Sequence, residues 1–192
     1  MGTEEKGEGD GSWRGSVDIV HTLLNHTSHP PVELNAKNSD GDTALHHASL
    51  CGHVDVVKLL LAHPREPPLN LNASNDKGET ALHQASWRGS VDILQALLNH
   101  QGHPPVDLNA SDSVGWTALH FASYNGHIDI IKELLRQGAT VNTRTRDGRT
   151  ALMLASQDQV TSDRERKRAA ESYLFSLPDI DLEGYSYESD PE

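Results

Sequence analysis

Apolar residues in this chain fall in short bursts separated by polar turn residues. Residues 38–74 show one full cycle. Asn38-Ser39-Asp40-Gly41 is turn chemistry, with Gly41 free to adopt positive φ. Thr43 suits an N-cap, and Ala44 to Leu50 reads as a short helix whose small Ala48 and Ser49 allow close packing. Gly52 should end it. Val54, Val57, Leu60 and Leu61 recur at helical spacing, so a second helix starts near His53 or Val54 and stops at His63-Pro64. An extended stretch, Leu69-Asn70-Leu71-Asn72-Ala73, leads into the next turn. Two helices this short cannot bury an apolar face between them; stacked neighbours must do so.

The cycle repeats. Gly41-Asp42-Thr43-Ala44-Leu45-His46 recurs at Gly78 to His83 and Gly115 to His120, with a worn copy from Gly148 to Met153; the glycines lie 37, 37 and 33 residues apart. The order turn, Gly-x-Thr-Ala-Leu-His-x-Ala, Gly-His, Val-Asp-Val-Val and Leu-Leu resembles the ankyrin repeat over about residues 12–160. The resemblance implies an all-α solenoid of antiparallel helix pairs with hairpin-like fingers and a concave face that binds other proteins. It also implies that His46, His83 and His120 bridge neighbouring units, and that His53 and His127 are structural. Ala44, Ala81, Ala118 and Ala151 replace the family's usual Pro, and both residues suit the first helical position. Full units are expected at 38–74, 75–111 and 112–144, with a degenerate cap from 145.

The two ends differ. Ser12 to Ile19 repeats Ser86 to Ile93, so residues 12–37 read as a half unit that lacks its first helix, and the chain is expected to be a partial version of a longer repeat protein. Residues 1–11, acidic and Gly-rich, are expected to be disordered. At the other end, His gives way to Met153, taken to mark the end of the stack. Ser162 and Glu165 fit a capping box, and Ala169, Tyr173, Leu174 and Leu177 form an apolar stripe, so a capping helix is expected over 161–178. Residues 179–192 are expected to be an acidic disordered tail, with Ser189 in a context that suits an acidophilic kinase.

Composition narrows the function. Only 35% of residues are hydrophobic and 5% aromatic, thin for a globular enzyme but sufficient for a core of Ala, Leu, Val and Ile. Residues 179–192 carry −6 and residues 1–11 carry −3 of the formal −12, so the acidity belongs to the tails. It argues against nucleic acid as partner. One cysteine, Cys51, allows no intrachain disulfide, and no stretch approaches a membrane span. The expectation is a soluble, monomeric, cytoplasmic protein, with the nucleus as the alternative.

Candidate chemistry is sparse. His26-x-x-His29 and His100-x-x-His103 approach zinc-ligand spacing without a third fixed ligand, and only through them does a metal-dependent enzyme survive as a reading. Cys51 reads as a half-buried filler. The run Arg164 to Arg168 reads as a solvated helix face rather than an import signal. Asn35, Asn72, Asn109 and Asn142 read as hairpin residues; they resemble a position modified by an asparaginyl hydroxylase that prefers Leu eight residues upstream, which only Asn142 has, as Leu134. No cofactor is expected, and no catalytic group.

The binding residues follow from the family frame. Positions before the closing Gly, and the one between turn Gly and Thr, should face the concave side. They hold Trp13, Arg14, Leu50, Trp87, Arg88, Tyr124 and Asn125, and Asp42, Glu79, Trp116 and Arg149. All three tryptophans fall among them. Trp, Tyr and Arg dominate interface energetics, so a Trp–Leu–Trp–Tyr track reads as a protein interface. The function expected is a non-catalytic adaptor or scaffold that binds unidentified proteins. The alternative is a regulatory subunit that masks an enzyme or transcription factor.

Overall fold

A computed structural model describes residues 11–26, 32–64, 67–102, 104–157 and 164–185; the side chains of 11–16 lie outside that description. Its described residues form helices α1 (Gly11–Asn25), α2 (Ala44–Cys51), α3 (Val54–Ala62), α4 (Ala81–Arg88), α5 (Val91–Asn99), α6 (Ala118–Tyr124), α7 (Ile128–Arg136), α8 (Ala151–Ser156) and α9 (Arg164–Phe175). The inner helices α2, α4, α6 and α8 stack on one another, and α1, α3, α5, α7 and α9 form an outer row. Leu45, Leu82, Leu119 and Leu152, one per inner helix, are fully buried, as are Ile93, Leu97, Ile130 and Leu134 of the outer row. No helix among the described residues is long and apolar enough to cross a membrane.

The repeated phrase explains the stack atom by atom. Thr43, Thr80, Thr117 and Thr150 precede the inner helices in extended backbone, with φ between −87° and −104°. The N–H of Thr43, Thr80 and Thr117 donates to Nδ1 of His46, His83 and His120 at 3.1, 2.9 and 3.0 Å. Histidine thus takes the part that Glu or Gln plays in a capping box. Its other nitrogen crosses to the next unit: His46 Nε2 donates to Glu79 O at 2.9 Å, His83 to Ala110 O at 3.0 Å and Trp116 O at 3.1 Å, and His120 to Thr143 O at 3.0 Å. These partners assign the neutral tautomer with the proton on Nε2.

The fingers form a second ladder. Asn38, Asn75 and Asp112 each accept two backbone N–H groups of their own turn through Oδ1. Successive fingers are joined by backbone bonds, Asp76 N to Asp40 O at 3.1 Å, Ser113 N to Lys77 O at 2.8 Å and Arg146 N to Val114 O at 3.0 Å. Gly115 shows why glycine stands here: its φ is +85°, and a Cβ would lie 2.8 Å from Arg146 N. At Gly148, φ is +83° but nothing among the described residues lies within 4 Å of an added Cβ.

The structure departs from several expectations. The octapeptide Ser12 to Ile19 does not repeat the helix–turn–helix of its copy at Ser86 to Ile93; it lies wholly within α1, whereas Gly89 turns at φ +79°. At Gly89 the break is held by tertiary contact, since the His127 ring sits 2.5 Å from where a Cβ would be. Gly11 likewise belongs to α1, while residues 1–10 lie outside the described residues. The tail, expected to be disordered from 179, is placed as far as 185. Asn142 donates to Asp179 O at 2.6 Å and accepts from Asp181 N at 2.9 Å, and Arg144 pairs with Asp181 at 2.6 Å. Asn35 and Asn72 hold Pro68 O with Asn70 N, and Pro105 O with Asp107 N, in the same way. Ile180-Asp181-Leu182-Glu183 is therefore held as Leu69 to Asn72 is, and the hairpin asparagines are bridges between units. Residues 186–192, with Ser189, and Ser162 of the expected capping box lie outside the described residues.

Lys167 departs from expectation as well. In place of a solvated face, it is 7% exposed, donates to Gln157 O at 3.2 Å and lies 4.7 Å above the Tyr124 ring. Gly126 permits this, because a Cβ there would meet Lys167 N at 2.8 Å and hold α9 away.

Candidate protein-binding face

The inner helices and fingers bound a groove of about 550 Å³, lined by Asp42, Leu50, Glu79 and Trp87 from the expected set and by Asp40, Asn75, Asp76, Lys77, His83, Gln84 and Phe121 besides. Each side chain arrives there for a local reason. The finger residues Asp42 and Glu79 follow the positive-φ glycines, and Leu50 and Trp87 stand in the last turns of α2 and α4. Leu50 and Trp87 are 38% and 44% exposed and so bring open apolar surface to the groove.

Beyond Trp87 the rings form one cluster. Trp87 stacks on Tyr124 with centroids 6.1 Å apart and planes at 16°, and meets Phe121 edge-on at 6.0 Å. Trp116 contacts Phe121 at 5.1 Å and Tyr124 at 5.4 Å. Arg149 lies 5.9 Å over Trp116 and pairs with Asp147 at 2.5 Å. Trp116, unlike Trp87, is half-buried and does not line the groove, so its ring supports the stack behind Phe121 and Tyr124.

Other expected residues lie apart. Arg88 packs its guanidinium along Gly52, where a Cβ would meet Nε at 3.2 Å. Asn125 donates to Phe121 O at 3.0 Å and so finishes α6. Trp13 and Arg14 stand in α1, in the outer row, and their side chains lie outside the described residues. Of the expected Trp13–Leu50–Trp87–Tyr124 track, Leu50, Trp87 and Tyr124 lie together, with Phe121 among them and Trp116 beside them. Phe121 was missed, although the letter after His changes from His47 to Gln84 to Phe121 and so carries the same signal as the letter before Thr.

Cys51, expected as half-buried, is exposed at the end of α2. His29 and His103 of the zinc-like pairs lie outside the described residues, and among the described residues no three His, Cys, Asp or Glu side chains group to hold a metal. The repeated histidines face away from such chemistry. Burial pushes the imidazoles of His83 and His120 below their ordinary value, against the opposing pull of Asp112 on His83 and of the Thr143 carbonyl on His120. On the surface, hydrogen bonds from Arg136 and Gln137 lower Glu133 to about 2.

Helix pairs that pack only on their neighbours, tied by finger and histidine ladders, define a solenoid repeat protein. Comparison with family models matches ankyrin repeats (3 copies) over residues 11–112 and 101–162. The chain belongs to the ankyrin repeat family, whose members are in general protein–protein interaction modules and typically not catalysts. Comparison with curated proteins gives no match.

Proposed function

We propose that this chain binds a partner protein through the groove between its fingers and inner helices, the concave face, and acts as an adaptor or scaffold without chemistry of its own. The observation that carries this reading is the aromatic cluster of Trp87, Trp116, Phe121 and Tyr124, continuous across two units and open at Trp87. The buried core of the stack is mostly Leu, Ala and Ile, and the exposed part of the Trp87 indole adds nothing to it. Large flat side chains supply contact area at small entropic cost. A cytoplasmic monomer, with the nucleus as the alternative, and the unit boundaries given above complete the proposal.

Affinity capture with mass spectrometry tests it, using the intact chain beside Trp87→Ala and Leu50→Ala. Leu50→Ala should cost at most about 1 kcal/mol of stability and Trp87→Ala about 1–2 kcal/mol through its contacts with Phe121 and Tyr124, too little to unfold the stack, while partner capture falls. Several unrelated partners would favour a scaffold, and one stoichiometric enzyme or transcription factor the masking role. Capture unchanged in both variants would place recognition elsewhere.

A further inference from the structure

The groove has a chemical direction. Its finger side presents Asp40, Asp42, Asp76 and Glu79, with Lys77 the one cation among the lining residues. Two of these carboxylates are engaged. Asn75 Nδ2 donates to Asp42 at 2.9 Å and to Glu79 at 3.1 Å, and Gln84 donates to Glu79 at 2.8 Å. Asp40 and Asp76 are not: neither carboxylate has a hydrogen bond or ion pair among the described residues. The Asp76 N–H to Asp40 O bond of 3.1 Å fixes them on adjacent fingers. Like charges held together without a counter-ion favour a cationic ligand.

The rings point the same way. Arg149 covers Trp116 and Lys167 covers Tyr124, so two rings of the cluster already hold a cation of this chain. Trp87 holds none among the described residues, and beside Phe121 it lines the acidic groove. Tyr124 stacks on it, and its 44% exposure leaves indole surface open to the groove. Leu50 and Phe121 supply apolar wall beside it.

We propose that this groove takes an arginine-bearing extended segment of the partner protein. The guanidinium sits between the Asp40 and Asp76 carboxylates and the Trp87 indole, and a neighbouring apolar side chain rests on Leu50 and Phe121. Arginine fits better than lysine, because a planar cation can stack on indole while its N–H fork meets carboxylates. The groove's volume of about 550 Å³ is that of a pocket for a few side chains. The inference rests on the concave-face reading and goes further by naming the ligand chemistry.

A random peptide library displayed on phage and selected on the intact chain tests it. Selected sequences are then synthesised and measured by calorimetry against the native chain, Trp87→Ala and the double variant Asp40→Asn, Asp76→Asn. Arginine should be enriched at one position with an apolar residue near it. Changing that arginine to alanine, or using the double variant, should weaken binding about tenfold or more, and the loss should shrink in about 1 M salt, where screening acts within roughly 3 Å. Arginine to lysine should cost less. If Trp87→Ala abolishes binding but the peptides carry no enriched cation, this inference falls and the concave-face reading stands. Peptides whose binding survives Trp87→Ala refute both, as does the selection of no peptide. The exposed Asp-to-Asn changes keep side-chain size, and the peptide arginine-to-alanine change decides the matter even if the double variant misfolds.

Discussion

His83→Ala should be among the most damaging single changes in this protein, and more so at neutral than at acidic pH. The ring is 1% exposed and bridges two units. Truncation strands the Thr80 N–H, on a residue only 4% exposed, and removes the donor to Ala110 O. Trp116 O keeps a second partner, the Asp112 N–H at 2.9 Å, and loses little. A stranded buried N–H costs about 1–3 kcal/mol. The lost ring packing, including the edge contact with Phe121 at 5.6 Å, adds about 1–2 kcal/mol. The expected loss is therefore about 3 kcal/mol at pH 7, or roughly 6–12 °C in Tm for a domain of this size. The pH dependence gives a second signature. Burial holds the His83 imidazole below its ordinary value, so the unfolded chain takes up the proton first. Unfolded chains then bind more protons than folded ones, and stability falls as pH drops below about 6.5, by up to about 1.4 kcal/mol per pH unit for each such histidine. The alanine variant lacks this term, so its deficit against the native chain should narrow between pH 7 and pH 5. Urea titrations followed by far-ultraviolet circular dichroism at several pH values measure both effects. A loss under about 1 kcal/mol at pH 7, or parallel pH profiles, would refute the account of His83 as a neutral two-sided bridge.

Other changes separate local from tertiary causes. Gly115→Ala and Gly148→Ala impose the same positive-φ strain, about 1 kcal/mol, but only at Gly115 does the new Cβ meet backbone, at 2.8 Å from Arg146 N. Thermal melts should show Gly115→Ala clearly worse; equal losses would mean that the fingers do not pack as described. Asn142→Ala removes both bonds to Asp179 and Asp181, so hydrogen exchange at the Asp181 amide should quicken at least tenfold with the rest of the stack unchanged. Trp116→Ala should cost about 2 kcal/mol, more than Trp87→Ala, since it touches Phe121, Tyr124 and Arg149; equal denaturation midpoints would refute that ranking.

Much of the fold was legible because each unit repeats its own instructions. Thr43 before Ala44, Gly52 after Cys51 and Val54 to Leu61 at helical spacing set where helices begin and end, and the structure keeps those points within a residue. Candidate site residues were legible only as types. Leu50, Trp87, Asp42 and Glu79 do line one groove, yet Arg88 and Asn125, two residues of the same expected set, are drawn off to Gly52 and to the end of α6. Side-chain direction at a helix end depends on what the neighbouring unit offers, which no single unit encodes.

The octapeptide shared by residues 12–19 and 86–93 marks the boundary between the two kinds of information. By itself the sequence determined the period, the caps, the turn glycines and the class of protein, because these depend on φ/ψ preference and on hydrophobic spacing within about ten residues. Tertiary structure decided whether Gly15 continues a helix or Gly89 breaks one, that Lys167 is buried over Tyr124, and that Asn142 holds residues 179–181. Those outcomes depend on contacts with the adjoining unit: a histidine ring over Gly89, the missing Cβ of Gly126 and the amide of Asn142.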